Sequence, residues 1–342
     1  MPTLLPPKIT INIPECLLAL LITVLLSWIV SFQQARADNK ISLPVSIQES
    51  RFIAYTPRSF SIKGEKVSPG TRSGIRKDLE ILHPYFNGVI TYSAINGVEH
   101  VAEVASNLKY RSVIMGIWDP SSEIEINNVL QAFHKYPDLV SAVVVGNEGI
   151  YTKRYTTVDV QQAIIRIKKM APSLPVTTSE PFYLYLTPEY SDFFRSHDLL
   201  MPNIHPVFEK WFTPNKLEDG VSMVLNIIKE LQTAYRLPVL IKETGLPSGE
   251  AAQGYSQAGQ ARFWNELTNR FPSSPTLGFA YFEAFDTPWK PALMATEFPG
   301  NHTKEAYWGL YTTTGQAKEV ITPLPRLKDH PHPPSTTPKP AQ

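Results

Sequence analysis

The chain has 342 residues, and 43% of them are hydrophobic, so it can bury the core of one large domain or two small ones. Its 32 basic and 31 acidic side chains nearly balance, and no basic patch stands out. This balance argues against a nucleic-acid partner and suits a neutral polymer better.

The first residues have the pattern of an export signal. An uncharged apolar stretch at residues 16–32 follows Lys8, and residues 35–37 read Ala-Arg-Ala. This pattern predicts a secretory signal peptide over residues 1–37, with Asp38 as the first residue of the mature chain. We therefore expect the protein to be exported to a periplasmic, extracellular or cell-surface location.

The alternative for residues 16–32 is an uncleaved membrane anchor, because 17 apolar residues are near the lower limit for a span. Cleavage removes Lys8, Arg36 and Glu15, which leaves 30 basic and 30 acidic side chains. It also removes Cys16, the only cysteine, so the mature chain has no disulfide. We expect a monomer that contacts a membrane only if the leader is retained.

Residues 38–322 are predicted to form the folded domain, because the C-terminal end differs in composition. Seven of the 20 residues at 323–342 are proline, which predicts a disordered or polyproline-like tail. His330 and His332 in this tail are interpreted as solvated side chains and not as a metal site.

Apolar, β-branched runs alternate with helix-like segments between the two ends. The strands are predicted at residues 51–56, 88–92, 112–118, 143–148, 175–179, 198–204, 239–243 and 277–282. Helices are predicted near residues 75–82 and 98–108, from 122 onward, and near 156–170, 221–231 and 256–271.

Eight strands alternating with helices predict an α/β protein with a (β/α)8 TIM barrel. Pro202 disfavours a regular sixth strand, because proline cannot donate to a sheet ladder. The competing fold is an open doubly wound sheet, which binds nucleotide through a glycine-rich turn after its first strand. Here that turn would fall at residues 57–60, which read Pro-Arg-Ser-Phe.

Two of the apolar runs end in a glutamate. Glu148 ends the fourth predicted strand and Glu243 ends the seventh. Taken singly, each could be a surface charge or a neighbour of a helix cap. Because the carboxyl ends of barrel strands face the catalytic mouth, the pair suggests an acid/base and a nucleophile for glycosidic bond cleavage. A retaining mechanism requires the carboxyl groups to lie about 5–5.5 Å apart.

Four motifs resemble, in chain order, those of glycoside hydrolase family 17, the β-1,3-glucanase family. They are residues 145–148 (VGNE), 203–206 (NIHP), 242–248 (KETGLPS) and 282–290 (FEAFDTPWK). The resemblance runs from about residue 51 to residue 310. It implies that Glu148 is the acid/base, that Glu243 is the nucleophile and that Asn147 holds the sugar 2-hydroxyl. His205 matches a position, often tyrosine in the family, that borders the nucleophile.

The chain departs from the family pattern at two places. The family usually has tryptophan where this chain has Leu246, and a second acid where it has Thr287. Neither departure touches Glu148 or Glu243. Both bear on the sugar subsites, so chain-length preference and endo or exo action stay open.

Further candidates for sugar binding lie at or just after strand ends. Aromatic rings there can stack on sugars, although ordinary barrel packing is the alternative for each. The candidates for contact with the substrate are Tyr55, Tyr92, Phe282, Trp289 and the cation Lys290.

Two further strand-end carboxylates, Glu180 and Glu283, are interpreted as supporting residues. They would hydrogen-bond to sugar hydroxyls or hold Lys290. Neither a metal-ligand spacing nor a Gly-x-Ser-x-Gly motif is present in the sequence, so we expect no metal and no cofactor.

The resemblance implies a retaining glycosidase that cleaves β-1,3-glucosidic bonds in β-glucan by double displacement. A β-1,3-glucanosyltransferase would use the same residues and remains an alternative. A non-catalytic carbohydrate-binding barrel is a second alternative, against which both glutamates and Asn147 argue. The expected partner is a polysaccharide or oligosaccharide.

Overall fold

The computed structural model describes residues 42–327. The predicted signal peptide or anchor at residues 1–37 and most of the proline-rich tail lie outside the described residues. Within residues 42–327, every helix is too short or too polar to cross a bilayer.

The described residues contain nine strands. These are β1 Phe52–Ala54, β2 Ser61–Lys63, β3 Lys66–Ser68, β4 Gly88–Ile90, β5 Ser112–Ile117, β6 Val140–Asn147, β7 Val176–Ser179, β8 Val239–Ile241 and β9 Leu277–Tyr281. The α-helices are α1 Val45–Gln48, α2 Arg72–Leu82, α3 Val101–Asn107, α4 Glu123–Lys135, α5 Thr157–Met170, α6 Phe182–Tyr185, α7 Ser191–Arg195, α8 Leu217–Ala234, α9 Gln257–Arg270 and α10 Lys290–Glu297. Short 3₁₀ helices cover Val98–His100, Pro188–Tyr190, Pro206–Phe208, Pro214–Lys216, Ala251–Gln253, Thr303–Tyr307 and Glu319–Ile321.

Side-chain caps define where several helices begin. The Ser122 hydroxyl accepts from a backbone N–H of α4, and Ser256 does the same for α9. Thr156 and Asp159 form a reciprocal capping box at the start of α5. The predicted starts of α4 and α5 are therefore confirmed.

Seven strands form one parallel sheet in the order β7-β6-β5-β4-β1-β9-β8. Side chains alternate between its two sides. Ile114, Val144 and Leu240 belong to a cluster that also holds Leu43 and Ile47 beside α1. Their chain neighbours, such as Val113 and Val143, join the larger cluster packed against the helices. Both sides of the sheet are buried, which explains why the strands are continuous apolar runs.

The bridging segment, residues 198–204, closes the sheet into a barrel. It pairs with β8, because the Leu200 N–H donates to the Pro238 carbonyl and the Leu240 N–H donates to the Leu200 carbonyl, both over 2.9 Å. On its other side the Asn203 N–H donates to the carbonyl of Glu180, also over 2.9 Å. The predicted (β/α)8 barrel is confirmed, with this segment in the sixth position.

Two local features differ from the prediction. Residues 198–204 form isolated bridges instead of a regular strand, since Pro202 has no N–H to donate. The antiparallel hairpin of β2 and β3 was not predicted. Each of its strands carries one apolar residue, Ile62 or Val67, which is too short a pattern to indicate a strand.

The start of the predicted tail contacts the barrel. Arg51 Nη1 donates to the Pro325 carbonyl over 2.7 Å, and the Leu327 N–H donates to the Pro84 carbonyl over 3.0 Å. Leu324 packs against the core. The proline content predicted a tail from residue 323 onward, but proline leaves carbonyls free to accept, so the contacts of the barrel extend to Leu327.

Candidate active site

The carboxyl ends of the barrel strands open into one cleft of about 680 Å³. All nine site residues predicted from the sequence line it. They are Tyr55, Tyr92, Asn147, Glu148, His205, Glu243, Phe282, Trp289 and Lys290. The structure therefore brings together residues that lie up to 235 positions apart in the chain.

Glu148 follows the last residue of β6 and adopts a left-handed backbone conformation, with φ of 53°. Such a conformation costs on the order of 1–3 kcal/mol for a residue other than glycine. Its N–H donates to the Ser179 carbonyl over 2.8 Å, which ties it to β7. Its side-chain Oε1 accepts from Asn203 Nδ2 over 2.9 Å.

The surroundings of Glu148 favour its protonated form. Burial raises the pKa of this carboxyl above its usual value, and the negative charge of Glu243 raises it further. The amide of Asn203 and the charges of His205 and Lys242 act in the opposite direction but do not cancel the rise. A carboxylic acid with a raised pKa can donate a proton near neutral pH.

Glu243 has the opposite electrostatic environment. It is 6% exposed, and burial alone would raise its pKa. Lys242 Nζ donates to Oε1 over 2.8 Å, and His205 Nε2 lies 3.4 Å from Oε2. The Lys242 ammonium and the His205 contact outweigh burial and hold the pKa of Glu243 well below its usual range. Glu243 is therefore an ionised carboxylate.

A chain of hydrogen bonds joins the two carboxyl groups. Asn203 Nδ2 donates to Glu148 and also to Asn147 Oδ1, the latter over 3.1 Å. Lys242 Nζ donates to Asn147 Oδ1 over 2.7 Å and to Glu243. The side-chain oxygen of Asn147 thus accepts two hydrogen bonds within the protein. Its amide nitrogen is the group left to meet a substrate.

Asn203 and Lys242 were not among the site residues predicted from the sequence. Both lie inside the quoted motifs, and Lys242 directly precedes Glu243, but neither motif shows which atoms meet. Ser179 Oγ donates to Asn203 Oδ1 over 2.9 Å, which fixes the direction of the Asn203 amide. Lys242 Nζ lies 4.0 Å from the ring centre of Tyr92, a cation–π contact.

The predicted sugar-stacking residues differ in how much of each faces the cleft. The Tyr55 hydroxyl donates to Asp78 over 3.0 Å and is buried, so it is not free for a sugar. Phe282 is 5% exposed and packs against His205. Trp289 is half-buried and meets Phe60 edge to face at 5.7 Å.

The predicted contact between Glu283 and Lys290 is present, with Nζ 2.7 Å from Oε1. Thr287, which stands where the family resemblance implies a second acid, donates to the same oxygen over 2.9 Å. Glu180 is different. Its two oxygens accept from the backbone N–H groups of Ile150 and Tyr151, over 3.0 and 3.2 Å.

Glu180 therefore anchors the loop that follows Glu148, in place of the expected contact with a sugar or Lys290. It is fully buried, and burial raises its pKa to about 7. Across residues 42–327, no three His, Cys, Asp or Glu side chains are grouped so that they could hold a metal ion.

Residues 53–309 match the model of the BtgE/BtgC glycoside hydrolase domain. The chain belongs to this family. A glucan 1,3-beta-glucosidase of Arthroderma benhamiae is 26% identical over 302 residues, which cover 83% of this chain and 96% of that protein. The chain spans 41–42% of the length of several matching Aspergillus proteins.

Solved structures of glycoside hydrolases have the same fold. An endo-laminarinase from Formosa superposes with a TM-score of 0.62 at 17% identity, covering 83% of this chain and 88% of that one. An active-site mutant of a Rhizomucor miehei beta-1,3-glucanosyltransferase in complex with laminaritriose superposes with a TM-score of 0.59 at 20% identity. That match covers 81% of this chain and 98% of the Rhizomucor chain.

Proposed function

We propose that this protein is a retaining glycosidase of family 17 that cleaves β-1,3-glucosidic bonds in β-glucan. One arrangement carries the proposal: two glutamates line one cleft, and Glu243 has the Lys242 ammonium 2.8 Å away whereas Glu148 has the neutral amide of Asn203 2.9 Å away. These surroundings lower the pKa of Glu243 and raise that of Glu148, which fits a nucleophile and an acid. The names of the Arthroderma relative and the laminarinase support β-1,3-glucan as the substrate.

In the first step, the Glu243 carboxylate attacks the anomeric carbon while Glu148 gives its proton to the glycosidic oxygen. The leaving chain departs as an alcohol, and a glycosyl ester forms on Glu243. Lys242 and His205 keep Glu243 ionised and oriented before the attack. The free amide of Asn147 can donate to the 2-hydroxyl of the reacting sugar.

In the second step, Glu148 removes a proton from the incoming nucleophile, which attacks the ester. The change of role has an electrostatic cause. The charge of Glu243 helps to raise the pKa of Glu148, and the ester has no such charge. The pKa of Glu148 therefore falls once the ester forms, so the residue can act as a base. Water as nucleophile gives hydrolysis, and a sugar hydroxyl gives transfer.

The test is Glu243→Ala with laminari-oligosaccharides as substrate. We expect loss of turnover in a protein that still folds, and partial recovery in azide with release of an α-glycosyl azide. Glu230→Ala, on the exposed side of α8, is the matched control and should keep full activity. Near-normal turnover by Glu243→Ala would remove the residue from the mechanism.

The products of the unchanged protein separate the remaining alternatives. Shorter oligosaccharides with the first-released anomer in the β form indicate retaining hydrolysis. Oligosaccharides longer than the substrate indicate a glucanosyltransferase. Binding of the oligosaccharide without any product would indicate a non-catalytic carbohydrate-binding barrel and would contradict the proposed enzyme activity.

We also propose that the protein is exported, on the basis of the apolar stretch and the Ala-x-Ala site within residues 1–37. Mass spectrometry of the secreted protein should show Asp38 at its N-terminus. An intact leader in a membrane fraction would instead indicate an anchor formed by residues 16–32.

A further inference from the structure

One side of the cleft is bordered by apolar side chains that the proposed mechanism does not use. Ile62 and Val67 of the β2–β3 hairpin face the cleft, as do Leu293 and Met294 of α10. Strand β2 packs against α10, and the rings of Phe60 and Trp289 meet at the base of the two elements. We call these two elements the apolar wall.

The apolar wall stands opposite the proposed acid. Glu148 follows β6, the fourth strand of the barrel, whereas the wall rises from the loops after β1 and β9, the first and eighth strands. Positions four and eight are half a turn apart in an eight-membered barrel. The wall and Glu148 therefore flank the cleft from opposite sides.

This placement fixes which part of a substrate the wall meets. Glu148 protonates the oxygen of the leaving sugar, so the leaving chain lies on the Glu148 side of the cleft. The part of the chain that stays on Glu243 extends the other way, toward β9 and β1. In a β-1,3-glucan that part carries the non-reducing end.

We propose that the apolar wall closes the cleft beyond the non-reducing end of the substrate, so that the enzyme acts from chain ends. The inference rests on the proposed function and extends it from bond type to mode of action. Sugars expose hydroxyls at their edges, and the four wall side chains offer no hydrogen-bond partner for a chain that continues past them.

The hairpin can be removed without disturbing the barrel core. Residues 63–68 are exposed, and the hairpin pairs only with itself. Ser61 and Ser68 are direct partners in its ladder, so a Gly-Gly link can join Phe60 to Pro69. The variant Ile62→Ser with Val67→Ser changes the wall chemically while it keeps the hairpin. Lys63→Ala with Lys66→Ala alters the exposed charges only and is the control.

The substrate pair distinguishes chain ends from the chain interior. Periodate cleaves vicinal diols, which the internal units of a linear β-1,3-glucan lack and the non-reducing terminal unit has. Chains treated with periodate and then borohydride therefore have an altered non-reducing end and an intact interior. Chains treated with borohydride alone keep that end, and long chains place the reducing end far from it.

We expect the unchanged protein and the Lys63/Lys66 control to release sugar from periodate-treated chains at about one tenth of the rate for chains treated with borohydride alone, or at a still lower rate. One altered group in a fitted pocket lowers the rate by about this factor. The hairpin deletion and the Ile62/Val67 variant should degrade both substrates at similar rates. Equal rates for the unchanged protein, or a preserved preference in both wall variants at normal melting temperature, would overturn the inference. If the unchanged protein released no product from the borohydride-treated chains, the proposed function would be overturned as well. This result differs from the two above, in which the protein is active.

Discussion

Glu148 and Glu243 show how neighbouring groups shift the pKa of the same residue type in opposite directions. Both carboxyl groups are buried enough that desolvation alone would raise their pKa values. Glu243 has a direct ammonium partner in Lys242, whereas Glu148 has only the neutral amide of Asn203. A full charge at hydrogen-bond distance stabilises a carboxylate far more than an amide does. The proposed division of labour therefore depends on Lys242.

The pH dependence of kcat/KM should reflect this division. As the proposed acid, Glu148 must be protonated in the free enzyme, so activity should fall as pH rises through its raised pKa. In Glu148→Gln, an activated aryl glucoside should still react in the first step, because its leaving group needs no proton. We expect the loss at high pH to vanish for this variant and substrate. An unchanged alkaline limb would assign that limb to another group.

Glu180 gives a second test at the level of single residues. Its pKa of about 7 lies above the ordinary 4.5, so the folded state favours the proton. The stability that this preference contributes is complete below pH 4.5 and is lost as pH rises through 7. The difference of 2.5 pH units amounts to about 3 kcal/mol.

Glu180→Gln cannot titrate, so its free energy of unfolding relative to the parent should rise by about 3 kcal/mol between pH 4.5 and pH 8. Urea denaturation at several pH values measures this difference. The exposed Glu230→Gln should show no such trend. A flat difference for Glu180→Gln would mean that the carboxyl is ionised throughout.

Two residues at the end of β6, Gly146 and Glu148, have positive φ. Gly146 has φ of 83°, and a Cβ there would come within 2.1 Å of Tyr155 Oη. That same hydroxyl accepts from the Gly149 N–H over 3.0 Å and so holds the loop after Glu148. A strand that ends in this way turns the Glu148 side chain toward Asn203 and the cleft.

Gly146→Ala should be more harmful than Gly64→Ala. Gly64 in the hairpin turn also has positive φ, of 59°, but has nothing within 4 Å of a Cβ. Gly64→Ala should lower the free energy of unfolding only by the cost of a left-handed backbone for alanine, about 1–2 kcal/mol. Gly146→Ala should cost more and should also lower kcat, because Tyr155 must move. Chemical denaturation and steady-state kinetics compare the two, and equal losses would mean that the loop adapts.

The elements that could be predicted from sequence are those with a long apolar run or with a capping residue at the start of a helix. The strands ending near Glu148 and Glu243 are apolar runs, and the starts of α4 and α5 carry Ser122 and Thr156 as caps. The hairpin and the irregular sixth position could not be predicted in the same way. The hairpin buries little apolar surface, and the bridging segment depends on partners supplied by β8 and by residues after β7.

The positions of the cleft residues could be predicted from the sequence, but the contacts among their side chains could not. Positions at strand ends could be placed in one mouth because parallel strands share their carboxyl edge. The links among Asn203, Asn147 and Lys242 could not, since they depend on side-chain directions across three barrel positions. Glu180 was expected to hydrogen-bond to a sugar or to hold Lys290, and only the structure shows that it accepts from backbone N–H groups instead.

The barrel as a whole has to be stable without cross-links, because residues 42–327 contain no cysteine. Its stability comes from two layers of apolar packing, one inside the strands and one between strands and helices. The inner layer includes Leu43 and Ile47, which come from the segment before β1. The segment before β1 therefore packs against the end of the barrel away from the cleft. Residues 323–327 contact the same end.

Two truncations test how far the domain extends. A chain that ends after Leu327 keeps the Arg51–Pro325 and Leu327–Pro84 hydrogen bonds and the packing of Leu324. A chain that ends after Thr322 loses all three. At about 1 kcal/mol for each hydrogen bond, the shorter chain should lose at least about 2 kcal/mol. For a domain of this size, with an unfolding entropy of about 0.6 kcal/mol/K, the loss lowers the melting temperature by roughly 3 °C.

Calorimetry of the two truncated chains beside the full one measures this effect. The chain ending after Leu327 should melt with the full protein, and both truncations should keep activity at 25 °C, since residues 323–327 contact the end of the barrel away from the cleft. Equal melting temperatures for the two truncations would show that residues 323–327 add nothing to the fold. A loss of activity in the shorter chain below its melting range would mean that the two ends of the barrel are coupled.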